Sequence, residues 1–294
     1  MTDLPLLTLP EEKPGVLTLP GATALMPPPS ATLTVPGERT DVILPDEMLP
    51  GERAAFCVTF AGRSCASLTE LAQALADAWD EARGALLSGA LARLLDGIDL
   101  SAAAFCREAA AAVAQGVFTP DRGVLEVIRR LGGEDMVLWR GRRYASVSDL
   151  GGSLLQALRG TGVIPGHFDS LMRSGAAGVF IDETRRPGLQ AMEARYAAED
   201  CTHREKMLLA YMTGYLLSGV AALVLEEETF YTVEELGAWL EKRASRSRAA
   251  FTRVCHRLLD EDHLLDPQLE AWLTALGCRQ QVSRWQAEID AGML

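Results

Sequence analysis

One stretch of this chain occurs three times: FAGRSCASLTELAQAL at 60–75, WRGRRYASVSDLGGSL at 139–154 and LEEETFYTVEELGAWL at 225–240. Self-similarity at long spacing restricts a chain to architectures of like units, because each copy buries its apolar face against its neighbours. Ser67, Ser146 and Thr232 stand at matched positions, 79 and 86 residues apart. Each is followed three residues on by an acid (Glu70, Asp149, Glu235), the arrangement of a helix N-cap with its capping box. Leu71, Leu150 and Leu236, then Leu75, Leu154 and Leu240, recur at one-turn spacing and predict one buried helix face. Ala72, Gly151 and Gly237 put a small residue beside that face, where a neighbouring helix can come close.

Ahead of each cap lie two short β-prone runs around a two-residue turn: CVTF-AG-RSC, MVLW-RG-RRY and ALVL-EE-ETFY. They predict three β-hairpins, although Ala-Gly and Arg-Gly are weaker turn signals than Asn-Gly. The remainder reads as helix. LSAAAFCREAAAAVAQG should end at Gly116, and TPDRGVLEVIRRLGG carries Thr119 as cap, Pro120 at the first helical position and Gly132 as stop. DPQLEAWLTALG repeats that grammar with Asp266, Pro267 and Gly277, and further helices are expected at 188–199, 204–217, 246–260 and 279–291. LLSG at 86–89 and 216–219, and LMRSG at 171–175, read as helix ends with glycine in the left-handed position.

The first 53 residues differ in kind. Ten of the 14 prolines fall within residues 1–50, and 1–53 holds 8 acids against 3 bases. Such proline density prevents helices and sheet ladders, so a disordered, acidic, Pro-rich tail is expected there. LTLP occurs at 7–10 and 17–20, with LTVP at 33–36 and VILP at 42–45. Leu7, Leu9, Leu17 and Leu19 are thus candidate contacts of a repeated short motif that adds a strand to a partner or fills an apolar groove. Several copies would raise avidity. The fold class expected is α+β, predominantly α-helical, with about three tandem hairpin–helix repeats stacked around a shared core. The boundaries are 1–53 for the tail, 54–136, 137–222 and 223–294 for the units, the last ending in capping helices.

Net charge is −12, from 28 Lys and Arg against 40 Asp and Glu, which argues against nucleic acid as a principal partner. The cysteines Cys57, Cys65, Cys106, Cys201, Cys255 and Cys278 form no CxxC, and their spacing fits free thiols in a reducing compartment, the cytoplasm. No basic region followed by an apolar one marks a secretory signal at the start. MLLAYMTGYLLSGVAALVL, 207–225, runs 19 residues without a charge and has the length of a membrane span. Matched to the second unit, it divides instead into a helix ending near Ser218–Gly219 and a hairpin strand.

Signals for chemistry are weak. Cys201, His203, Cys255, His256, His263 and Cys278 lack the tight pairs of a zinc site, so no metal is assigned. GTGVIPG at 160–166 has the wrong spacing for a dinucleotide loop and follows a helix, so no cofactor is assigned. GxxxxGK[ST], GxSxG and HExxH do not occur, and no catalytic residue is named. Two basic clusters stand out on an acidic chain: Arg140, Arg142 and Arg143 beside Trp139, and Lys242, Arg243 and Arg246 with Arg248. They are the expected contacts for another protein, with Trp139 and Tyr144 as anchors if exposed; the favoured alternative is that both pack beneath the hairpin, since aromatic residues in strands usually face a core. The function expected is a non-enzymatic protein–protein interaction module or adaptor. The alternatives are an enzyme or enzyme subunit with its site between repeats, and membrane attachment through 207–225.

Overall fold

A computed structural model describes residues 57–259 apart from 134, and 264–278 with 280, 283 and 284. The tail motifs with Leu7, Leu9, Leu17 and Leu19, His263, and most of the helix expected at 279–291 lie outside the described residues.

The described chain is mostly helical, with three short antiparallel strand pairs. β1 (Val58–Phe60) pairs with β2 (Arg63–Cys65), and α1 (Leu68–Asp77), α2 (Trp79–Leu87), α3 (Ala90–Asp96), α4 (Leu100–Ala114) and α5 (Pro120–Gly132) follow. Next come β3 (Val137–Trp139), β4 (Arg142–Tyr144), α6 (Val147–Thr161), α7 (Gly166–Arg173), a 3-10 turn (Ala177–Phe180), α8 (Arg186–Ala197) and α9 (His203–Ser218). The chain then forms β5 (Leu223–Leu225), β6 (Glu228–Phe230), α10 (Val233–Arg246), α11 (Arg248–Arg257) and α12 (Pro267–Ala275).

The hairpins share one geometry. Val58 faces Cys65, Val137 faces Tyr144 and Leu223 faces Phe230. Both turn residues have positive φ in every case: 48° and 76° at Ala61–Gly62, 45° and 76° at Arg140–Gly141, 48° and 74° at Glu226–Glu227. A turn of this sign matches the right-handed twist of the strands, which is why the hairpins close despite weak turn dipeptides. Two consecutive glutamates in the left-handed region are strained. Glu226 is held there by Arg243 at 2.6 Å and Arg257 at 3.5 Å.

After each hairpin a hydroxyl caps the helix. Ser67, Ser146 and Thr232 accept the N–H of Glu70, Asp149 and Glu235 at 3.1, 3.0 and 3.2 Å. Of these three caps, Thr232–Glu235 alone closes a full capping box. In all three the carboxylate accepts the N–H one residue earlier, at Ala66 (2.7 Å), Ala145 (3.0 Å) and Tyr231 (2.7 Å). Gly89, Gly175 and Gly219 all adopt the left-handed conformation that the SG fragments predict. Gly132 is still helical, and the stop is Gly133, where a φ of 91° and a ψ of 164° turn the chain out of the helix. The helix expected at 246–260 lies inside that range: Ser247 caps its start at Arg248, and it ends at Arg257.

A continuous apolar core runs from the first hairpin to α12. Its largest fully buried side chains include Trp139, Trp272, Tyr196 and Phe168. α1 packs on α5, α6 on α9, and α12 also on α9. Gly151 brings α6 against α9 so closely that an added Cβ would stand 2.8 Å from Gly214 O and 2.9 Å from Leu217 C. The 207–225 stretch divides into α9, capped by Gly219, and β5. No helix among the described residues is long and apolar enough to cross a membrane.

Candidate functional site

Two regions hold the groups from which a site can be built: the outer strands of the hairpins, and a cavity where α5, α7 and α8 meet.

β2, β4 and β6 expose their first two residues and bury the third. The exposed pairs are Arg63–Ser64, Arg142–Arg143 and Glu228–Thr229, so one backbone geometry presents three different charges. The contacts expected from sequence are divided by the structure. Arg142, Arg143, Lys242 and Arg246 are exposed. Arg140 donates to Asp121 Oδ2 at 2.9 Å, and Arg243 pairs with Glu226 and lies 4.3 Å from the Trp239 ring, so both have partners within the chain. Trp139 is not exposed and is no anchor; it takes the favoured alternative of packing beneath the hairpin. It is 0% exposed, meets Trp79 edge-on at 4.8 Å and donates its indole N–H to His167 O at 2.7 Å. An aromatic in a strand between helices fills the core before it serves a surface. The two basic clusters stay apart along the chain, one on hairpin β3–β4 and one on α10.

The cavity has a volume of about 480 Å³. Val117, Phe118, Thr119 and Arg122 line it from the start of α5, Arg173, Ser174 and Gly175 from the end of α7, and Gln190, Glu193, Ala194 and Ala197 from one face of α8. Thr119 is both the N-cap of α5, taking the N–H of Arg122 at 3.2 Å, and a donor to Ser174 O, which ties α5 to α7. Ser174 Oγ donates to Leu171 O at 3.0 Å. Both hydroxyls on the wall are therefore committed to the backbone.

Glu193 is the unusual member. It is 3% exposed, and its Oε1 accepts the Gly178 N–H at 3.2 Å, which caps the 3-10 turn. Its Oε2 is buried without a hydrogen-bond partner. Burial pushes this carboxyl up to about 7, against the backbone N–H groups of Gly178 and Ala177 and the charge of Arg122, which pull it down. The Arg122 guanidinium lies 4.4 Å from the Phe118 ring, with Nε 3.7 Å from Glu126 and buried without a hydrogen bond. Arg173 donates from Nε to Asp169 Oδ2 at 2.8 Å, and Tyr196 donates to the other oxygen of Asp169 at 2.8 Å.

Glu193 was not singled out by sequence, yet a signal was available. Leu189, Glu193 and Tyr196 are the buried residues of α8, so the glutamate occupies a core position of the helical period. A charged residue there is rare unless it is paired or functional. The cysteines and histidines do not converge: among the described residues no group of three or more His, Cys, Asp or Glu is placed to hold a metal ion. No family model, curated protein or solved structure matches this chain.

Proposed function

We propose that this protein is a non-enzymatic protein–protein interaction module, made of hairpin–helix repeats at 54–136, 137–222 and 223–294 and joined to a Pro-rich tail at 1–53 that engages a partner. The observation that carries this reading is the outer-strand comparison. Three hairpins of the same register and turn geometry expose Arg63–Ser64, Arg142–Arg143 and Glu228–Thr229. Repeating a scaffold while varying its exposed charge is how an assembly surface gains partner selectivity, since charge pattern sets specificity and association rate more than affinity. Arg142 and Arg143 supply a basic spot on an acidic chain, suited to an acidic partner surface. The LTLP-type motifs of the tail would add avidity.

The committed hydroxyls of Thr119 and Ser174 favour binding over reaction at the cavity, because neither is free to act as a nucleophile. The test is affinity purification with full-length protein, residues 54–294 alone, and the Arg142→Glu/Arg143→Glu double variant. A partner recovered by the full chain should be lost with the tail, and weakened by charge reversal in a salt-dependent way. Recovery of every partner by all three forms would falsify the proposal.

A further inference from the structure

A second cavity, of about 300 Å³, lies further along α5. Glu126, Arg129 and Arg130 border it from α5, Phe105 from α4, Val179 from the 3-10 turn and Arg186 from the start of α8. Three guanidiniums thus stand against one carboxylate, on a chain whose net charge is −12. That carboxylate also serves Arg122, 3.7 Å away. In the first cavity the arginines are neutralised, Arg122 by Glu126 and Arg173 by Asp169. Here the anchors are uncharged. Arg130 lies 5.9 Å from the centre of the Phe105 ring, and Arg186 donates to Ile181 O at 3.3 Å. Neither has an acid within ion-pair distance among the described residues. Arg129 donates to Val179 O and lies 5.6 Å from the Phe180 ring. A guanidinium held by a ring or a carbonyl is oriented without losing its charge. Cations are favoured at a helix C-terminus, which accounts for Arg129 and Arg130 in the last turn of α5. Arg186 stands at the first position of α8, the end that disfavours a cation, and no acid in that turn offsets it. The two helix ends carry about half a charge each, of opposite sign, so the arginines decide the field in the cavity.

We propose that this cavity is a phosphomonoester site, with Arg130 and Arg186 holding the phosphate through their terminal guanidinium nitrogens and the Phe105 ring and Val179 taking the organic group. A phosphomonoester carries about −1.5 to −2 charges at pH 7, which matches the surplus of arginines over Glu126 better than a single carboxylate does. Its oxygens accept hydrogen bonds from several directions, as donors on two different helices require, and guanidinium forks fit pairs of them. A volume of about 300 Å³ is at the small end of ligand sites, enough for a phosphate and a short organic group. The phosphate can be carried by a small molecule or by a phosphorylated serine of another protein; the chemistry of recognition is the same. The site is independent of the interaction-module reading.

The test is calorimetric titration of the full-length protein with phenyl phosphate, phenyl sulfate and a short phosphoserine peptide, with amide NMR shifts locating the site. Phenyl phosphate should bind about tenfold more tightly than the singly charged phenyl sulfate and shift the residues that line the cavity. Arg130→Gln and Arg186→Gln should each weaken it at least about tenfold with unchanged circular dichroism. Arg93→Gln, which removes an exposed arginine absent from the lining, should leave the affinity as it is. The same shifts with the phosphoserine peptide assign the phosphate to a protein carrier. Binding of phenyl phosphate without the peptide assigns it to a small molecule, and either result supports the site. The proposal is overturned if no phosphate probe shifts the lining residues, if phenyl sulfate binds as tightly as phenyl phosphate, or if Arg130→Gln binds like wild type. Arg130 is exposed, so its variant keeps the test decisive should Arg186→Gln fail to fold.

Discussion

Gly151 of α6 lies so near α9 that a Cβ would come within 2.9 Å of its backbone, whereas Gly237, at the matching position of α10, has no described atom within 4 Å of that point. The two helices begin alike, each with a capped first turn and a leucine one turn in. α6 then buries Leu150, Gly151, Leu154, Leu155 and Leu158, while α10 buries Leu236 alone. The helix that might have matched α9 for the third copy, α12, packs on α9 itself. Arg204 helps hold it there, donating to Glu270 and to Leu265 O at 2.6 Å each. The same local grammar therefore produces the same helix start but not the same tertiary surroundings. Position in the matched stretch sets the element, and the neighbour sets the burial.

The largest separation between the two copies should come from their strand ends. Trp139 is fully buried, while its matched residue Leu225 is partly exposed. Trp139→Ala should cost about 3–5 kcal/mol, and Leu225→Ala at most about 2 kcal/mol, in urea unfolding. Equal losses would mean that the third hairpin is as deeply built into the core as the second. Next in size is the helix crossing. Gly151→Ala forces α6 away from α9 and should destabilise by about 1–3 kcal/mol, with the loss read as a lower urea midpoint at unchanged slope. A neutral outcome there would remove close approach as the reason for a small residue in the second copy.

How legible these features were in the sequence follows from their range. The hairpins, their two-residue turns and the Ser/Thr caps depend on residues within a few positions of each other, and the matched stretches show them directly. Gly175 and Gly219 are of the same kind, since a left-handed helix stop is a local requirement. The docking of α12 on α9 depends on apolar faces about sixty residues apart, and no periodicity distinguishes α9 from α10 as the recipient. Trp139 shows the limit from the other side. Its arginine neighbours suggested a surface. All three residues of β3 are buried while β4 exposes both Arg142 and Arg143, so the burial of Trp139 follows the elements packed on it, Trp79 and the carbonyl of His167, and not a two-residue alternation. Glu193 fell between the two cases: its position in the period was readable, but its meaning depends on Gly178 and Arg122, which only the fold brings to it.

The turns offer a smaller test. Gly141 and Glu227 occupy the same place, at φ of 76° and 74°. A left-handed residue other than glycine costs about 1–2 kcal/mol, so Glu227→Gly should raise stability by about 1 kcal/mol. Gly141→Glu should lower it by a similar amount. Glu226 should not tolerate replacement as readily, because its carboxylate takes Arg243 from α10 and Arg257 from α11. If Glu227→Gly is destabilising, the pair of glutamates is held by something beyond these ion pairs.

The smallest effect bears most directly on the contrast between α6 and α10. Alanine exceeds glycine in helix propensity by about 0.8–1.0 kcal/mol, and Gly237 lies in a helix interior with open space where the methyl group would go. Gly237→Ala should therefore stabilise by up to about 1 kcal/mol, the opposite sign to Gly151→Ala, with thermal unfolding of the two variants side by side as the measurement. A destabilised Gly237→Ala would mean that in solution α10 does receive a close neighbour at this position. The third copy would then share the tertiary arrangement of the second as well as its local pattern.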